Sequence, residues 1–207
     1  MLTLSSTDLD AWLVLFFYPF VRILAWLMFD PLLGNRAAPM RVRVVLALAL
    51  TLAVAPILPP APQVALVSGD GLLILLQQIA TGSVLGFSLR IVFAMVEVAG
   101  QFMGMQMGLS FATLFDPING AQTPVASQFL VLTTVLILFA FNGHHLVIEA
   151  LAQSFVEVPV GTMITASGFV AVAHWAGAMF STGLHIALPV TAALLATNLT
   201  IGMMSRA

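Results

Sequence analysis

The residues that could do chemistry in this chain are few and scattered. His145 and Glu149 are four residues apart. On a helix they would share one face, where they could form a polar pair or supply two metal ligands. No further ligand stands near them, which favours the polar pair. His174 and His185 also share a face, but their spacing separates them by ~16 Å along a helix, too far to hold one ion. The sequence therefore predicts no metal site.

Four other ionisable residues lie within apolar segments, where charge is expensive and often marks an ion or substrate path. They are Arg22, Arg90, Glu97 and Glu149. Arg90 and Glu97 fall on one helix face but two turns apart, too distant for direct contact on a straight helix. Such groups could relay protons or ions, or pair with a neighbouring subunit, and we favour pairing.

The composition predicts a membrane protein. Of 207 residues, 61% are hydrophobic and 7% are charged, against about 25% charged in a soluble domain. Because so few charges cannot cover a water-facing surface, lipid or partner chains must cover much of the protein surface. The chain has no cysteine, which excludes disulfides and thiolate chemistry. Its net charge is −2. The sequence has no stripe of basic residues of the kind that a nucleic-acid-binding protein needs.

Helix signals divide the chain into five apolar segments. No polar linker separates them, so we predict a single domain over residues 1–207, and no signal-peptide cleavage pattern follows the first. Asn142 and Gly143 fall inside the fourth segment and are expected to kink or divide it, and Gly183 and Pro189 are expected to interrupt the fifth. The segments are residues 9–29, 44–55, 72–108, 128–151 and 169–204.

Residues 109–127 break the helical pattern although they are largely apolar. Asp116-Pro117 and Asn119-Gly120 are turn dipeptides. In lipid, each unpaired backbone group of such a loop would cost several kcal/mol. We therefore expect this loop to lie inside protein or to line a water-filled space.

Glycines and methionines lead into this loop. Glycines at four-residue spacing make a flat stripe that lets another backbone approach, in ordinary helix packing or against a neighbouring subunit. Methionine is unbranched and adaptable, so a cluster could seal a pore around variable shapes or could simply fill a core. The glycines are Gly82, Gly86, Gly100, Gly104 and Gly108, and the methionines are Met103, Met105 and Met107.

The stretch over residues 100–117, GQFMGMQMGLSFATLFDP, resembles the FliR family. Members of this family are the R-type export-gate subunits of bacterial flagellar type III secretion, and they have counterparts in virulence injectisomes. The similarity continues in order along nearly the whole chain. It includes residues 19–23, 33–39, 141–144 and 187–190.

The resemblance implies an all-α integral membrane protein of helical hairpins with kinked helices, packed into a hetero-oligomeric helical gate assembly. One R-type subunit would join several P-type and Q-type subunits in the bacterial inner membrane at the flagellar basal body. Its other partners would be further membrane export-apparatus subunits, unfolded exported proteins and lipid. The family continues into a hydrophobic C-terminal region beyond the position of Ala207, which we expect to be missing here.

The resemblance also implies a pore plug, which maps onto residues 109–122, with the methionines as a cushion. The plug residues would be Phe111, Leu114, Phe115, Asp116, Pro117 and Asn119. The expected role is structural and needs no cofactor, since no catalytic or nucleotide-binding motif is present. The alternatives are a stand-alone small-solute transporter or channel that uses the four intramembrane ionisable residues, and an intramembrane enzyme that uses His144 and His145.

Overall fold

Helices make up all the regular secondary structure that the computed structural model describes, which covers residues 6–32, 38–59, 64–66, 68–108, 124–162 and 166–205. The prediction of an all-helical membrane protein is confirmed. A short 3-10 turn, Ala55–Ile57, follows the second helix. The α-helices are α1 (Ser6–Phe29), α2 (Met40–Val54), α3 (Gly69–Gln106), α4 (Val125–Ala140), α5 (Gly143–Glu157) and α6 (Ala166–Met204).

Three helical stretches are long and apolar enough to cross a membrane. They are Met40–Ile57, Gly69–Gln106 and Ser167–Met204. Helices α4 and α5 qualify together as a fourth, broken span. Little of this apolar surface is covered by the chain itself, since only 6% of the most apolar window in Ser167–Met204 is buried. Lipid or other chains must therefore cover α6.

Proline and asparagine determine where two of the helices end. Helix α1 ends at Phe29 because Pro31 disfavours helical geometry at Asp30. Helices α4 and α5 are separated at Asn142, which has a φ of 55°. Asparagine tolerates this left-handed conformation better than other non-glycine residues do. The expected division of the fourth segment is therefore present.

The expected interruption of α6 is absent. The helix continues through Gly183 and Pro189 up to Met204, and α1 likewise contains Pro19. A proline removes one backbone hydrogen bond. Apolar membrane helices tolerate that loss because neighbouring groups and small local adjustments satisfy the freed carbonyl. The prolines therefore end neither α1 nor α6.

The chain divides into two compact units. The first unit comprises Met1–Arg90 and Asn142–Val172, and the second comprises Ile91–Phe141 and Ala173–Ala207. In the first, Ile23 and Leu27 of α1 pack with Phe155 of α5 in one apolar cluster. In the second, Ala99 and Met103 of α3 pack with Ala187 of α6. The single domain expected from the sequence stays a prediction.

The left-handed turn at Asn142 provides a test of the fold. Replacing Asn142 with valine should lower the free energy of unfolding by about 1–2 kcal/mol, because a β-branched side chain clashes in this conformation. Asn142→Gly should be as stable as the natural chain, since glycine adopts a positive φ readily. Thermal unfolding of both variants in detergent measures the difference. Equal stability of the valine and glycine variants would contradict the assigned turn.

Candidate functional site

The residues expected to plug a pore lie outside the described part of the chain. They are Phe111, Leu114, Phe115, Asp116, Pro117 and Asn119. The structure describes both ends of the segment that holds them. Gly108 follows α3 with a φ of 74°, a conformation suited to glycine. Pro124 precedes the first residue of α4. The plug itself stays a prediction, whereas the residues that precede and follow it are described.

Helices α3 and α4 are in direct backbone contact just before and after this segment. A Cβ added to Gly100 would overlap with the backbone of Ser127, and one added to Gly104 would lie 3.0 Å from the Cβ of Pro124. The buried Ser127 hydroxyl donates a hydrogen bond to the Glu97 carbonyl at 2.8 Å. We call this contact the α3–α4 base, comprising Glu97, Gly100, Gly104, Pro124 and Ser127. It brings α3 and α4 together, the helices that precede and follow residues 109–123 in the sequence.

The three methionines next to the base have different surroundings. Met103 is 8% exposed and packs against Ala99 and Ala187 in the core of the second unit. Met105 and Met107 are 51% and 54% exposed. From the sequence alone, the three methionines were predicted to form one cluster. In the chain itself, Met103 fills a core, and the other two remain available to a neighbour.

Gly82 and Gly86 are also close-packing positions within the chain, but the prediction for Gly108 is wrong among the described residues, since nothing lies within 4 Å of a Cβ added there. In the first unit, a Cβ at Gly82 would overlap with the Arg22 carbonyl, and one at Gly86 would come within 2.5 Å of the Trp26 carbonyl. In the second, a Cβ at Gly183 of α6 would lie 2.9 Å from the Met95 carbonyl oxygen. Gly183 was not among the predicted packing glycines. Packing of these glycines against neighbouring subunits stays a prediction.

Arg22 is completely buried in the first unit, where its guanidinium connects three helices. Its Nε donates to Gln78 Oε1 of α3 at 2.7 Å. Its two terminal nitrogens donate to the carbonyls of Ser154 at 2.9 Å and Val158 at 2.8 Å, at the end of α5. The guanidinium also lies 4.2 Å from the centre of the Phe155 ring, a favourable cation–π distance.

The other predicted ionisable residues lie nearer the surface of the chain. Arg90 and Glu149 are exposed, and Glu97 is partly exposed. The rings of His144 and His145 have centres 4.2 Å apart and are tilted by 58° to each other. Among the described residues, no three histidine or acidic side chains come together as a metal site would require. A relay or a pairing role for Arg90, Glu97 and Glu149 stays a prediction.

Comparison with known proteins decides the family. A family model described as "Bacterial export proteins, family 1" matches residues 13–207. The flagellar biosynthetic protein FliR of Pectobacterium carotovorum is 41% identical over the whole chain, which covers 79% of that protein. The chain belongs to the FliR family. The Escherichia coli K12 FliR protein is 38% identical, with the same coverage. The Bacillus subtilis relative is 29% identical over 195 residues, covering 92% of this chain and 75% of that protein.

Membership of the FliR family makes this chain a subunit of the flagellar export apparatus. Its role is structural, and the family is not one of enzymes. The apolar helices make it a membrane protein. Other subunits of the same apparatus are its partners. The α3–α4 base and the Arg22 contacts are the most constrained features that the structure describes in this FliR-family chain.

The close approach at Gly100 predicts that even one methyl group is harmful there. Gly100→Ala should lower the free energy of unfolding by about 1–3 kcal/mol, because the added Cβ meets backbone atoms that cannot rotate away. Gly177 of α6 is the matched control, since nothing lies within 4 Å of a Cβ added there. Gly177→Ala should be neutral or gain up to about 1 kcal/mol from helix propensity. The thermal unfolding temperature of the purified chain should fall for Gly100→Ala and stay unchanged or rise for Gly177→Ala. An equal shift in the two variants would contradict the assigned contact.

Proposed function

We propose that this chain is the R-type subunit of the flagellar export gate in the bacterial inner membrane, and that residues 109–122 close the gate. It would assemble there with P-type and Q-type subunits. Unfolded flagellar proteins would pass the closing segment during export. The observation that carries the proposal is the α3–α4 base, because it brings together the helices that precede and follow the segment.

A closing segment must be held at its attachment and able to move elsewhere. The contacts of Gly100 with Ser127 and of Gly104 with Pro124 supply the attachment. The Ser127–Glu97 hydrogen bond adds a polar tie at the same level. A tether at both ends keeps the segment next to its seat even when a passing chain displaces it. A segment attached at one end would have no such constraint.

The composition of the segment suits it to exclude ions. Phe111, Leu114 and Phe115 are large and apolar, so water and ions would be excluded from any space that they fill. Met105 and Met107 stand exposed just before the segment. Their flexible thioether chains can adapt to different shapes. We propose that these two methionines cushion the closed segment, while Met103 anchors α3 in the core.

The uncovered surface of the chain supports assembly with other subunits. The most apolar window of α6 is almost entirely unburied within the chain, although α6 is too long at ~58 Å to match one bilayer. We propose that P-type and Q-type subunits cover part of it and lipid covers the rest. Arg90 and Glu149 are exposed ionisable side chains on apolar helices. They would pair with groups on those neighbours, since charge is costly in hydrocarbon.

The closing segment can be tested by ion leak. Phe111, Leu114 and Phe115 would be replaced together by glycine, which keeps the length of the segment and removes its apolar side chains. Gates that contain this variant should conduct small ions in membrane vesicles, whereas gates with the natural chain should not. The leak arises because glycine cannot exclude water from the closed space.

Two controls make the outcome decisive. Gates with Gly177→Ala should stay closed, which shows that the leak is specific to the segment. The triple variant without its partner subunits should give no flux, because the chain alone would form no pore. Unchanged permeability in fully assembled triple-variant gates would refute the plug. Flux through the natural chain by itself would instead support a stand-alone transporter or channel.

A further inference from the structure

The end of α5 is held by a buried cation rather than by solvent. The last carbonyls of a helix have no partners within the helix. The carbonyl of Val158, the residue that caps α5, accepts a hydrogen bond from the guanidinium of Arg22, and the Ser154 carbonyl accepts another in addition to the one from the Val158 amide. Ser154 and Phe155 are themselves buried in the first unit. The end of α5 is therefore satisfied by a side chain of α1.

Helix dipoles supply the compensation for this charge. No carboxylate in the described part of the chain pairs with Arg22, whose contacts are to carbonyl oxygens, a hydroxyl and an aromatic ring. The C-terminus of a helix carries the equivalent of roughly half a negative charge. The attraction between a cation and that end is strongest where water is excluded, as it is around Arg22. The planar guanidinium reaches acceptors in several directions at once.

Gln78 sets the orientation of the guanidinium. Its Oε1 accepts from Arg22 Nε at 2.7 Å, which turns the two terminal nitrogens toward α5. Gln78 lies one helical turn before Gly82, and the close approach of Gly82 to the Arg22 carbonyl brings the two helices near enough for this bond. The side-chain amide nitrogen of Gln78 is buried and has no hydrogen-bond partner among the described residues. Such an orphan donor destabilises the folded chain.

We propose that Arg22 is a positioning residue of this subunit, which fixes the C-terminal end of α5 on α1 and α3, and that Gln78 orients it. The positive charge and the planar fork are both required. This role concerns the first unit and does not depend on the closing segment at residues 109–122. Its consequence for the gate is that a subunit without the Arg22 contacts presents an unanchored α5 to its neighbours.

The proposal predicts that Gln78→Glu changes the yield of folded chain in opposite directions depending on whether Arg22 is present. Gln78→Glu keeps the acceptor oxygen, removes the orphan donor and places a carboxylate beside Arg22. In the natural background, this variant should yield at least as much folded, gate-incorporated chain as the original. Combined with Arg22→Met, the same substitution should reduce that yield roughly tenfold or more relative to Arg22→Met alone, because it leaves a buried carboxylate without its cation.

Arg22→Lys provides the conservative comparison. An ammonium group can donate to one or two of the acceptors but cannot reproduce the fork across Gln78, Ser154 and Val158. It should recover only part of the loss caused by Arg22→Met. The yield of chain in the detergent-solubilised complex measures all of these variants, and flagellar motility of the cells gives the functional readout.

Hydrogen exchange separates a local role from general destabilisation. The amide of Val158 bonds to the Ser154 carbonyl at 3.0 Å, so it reports directly on the end of α5. In Arg22→Lys complexes, peptides covering residues 151–158 should exchange faster than in the natural chain. Gly100→Ala, which affects the second unit, is the control and should leave these peptides unchanged. The proposal would be overturned if Gln78→Glu lowered the yield of folded chain both with and without Arg22. Unchanged hydrogen exchange of residues 151–158 in Arg22→Lys would also overturn it.

Discussion

The need to satisfy backbone polar groups inside an apolar chain governs this structure. Hydrocarbon offers no hydrogen bonds, so nearly all backbone groups must be paired within helices. Helices built in this way gain little from the hydrophobic effect when they associate in lipid, and close packing must hold them together. Gly82 and Gly100 provide that packing, one in each unit, by letting α3 meet the backbone of α1 and of α4. The polar ties at Arg22 and Ser127 stand beside these same contacts.

This arrangement suits a subunit with so few charges whose sequence predicts a break in the helical pattern over residues 109–127. A loop at membrane depth is tolerated where protein or water surrounds it. In this FliR-family chain, the residues of the α3–α4 base precede and follow the segment in the sequence and hold α3 and α4 in close contact. Such a base and an apolar segment with two turn dipeptides in its sequence suit the proposed closure, which would yield and return.

Much of the fold could be predicted because its signals are local. Long apolar runs indicated the helices, and Asn142-Gly143 indicated the break between α4 and α5. The break expected in α6 was wrong, because glycine and proline signals do not reveal whether surrounding groups will support a continuous helix. The family could also be predicted, since its motif over residues 100–117 is long and specific.

The contacts of the candidate site could not be predicted to the same degree. Arg22 was singled out as costly in an apolar run, but Ser154 and Val158 lie more than 130 positions away and contribute backbone atoms, which no side-chain pattern reveals. Gln78 gave no signal, because a single glutamine in a helix is ordinary. The methionines illustrate the same limit, since spacing did not distinguish buried Met103 from exposed Met105.

The central claim is that this chain functions as one subunit within a larger export gate. The most direct measurement is the mass of the detergent-solubilised complex after the chain is expressed together with P-type and Q-type subunits. The account predicts a discrete, large assembly that contains one copy of this chain. A stable monomer or small homo-oligomer that does not associate with those subunits would contradict it.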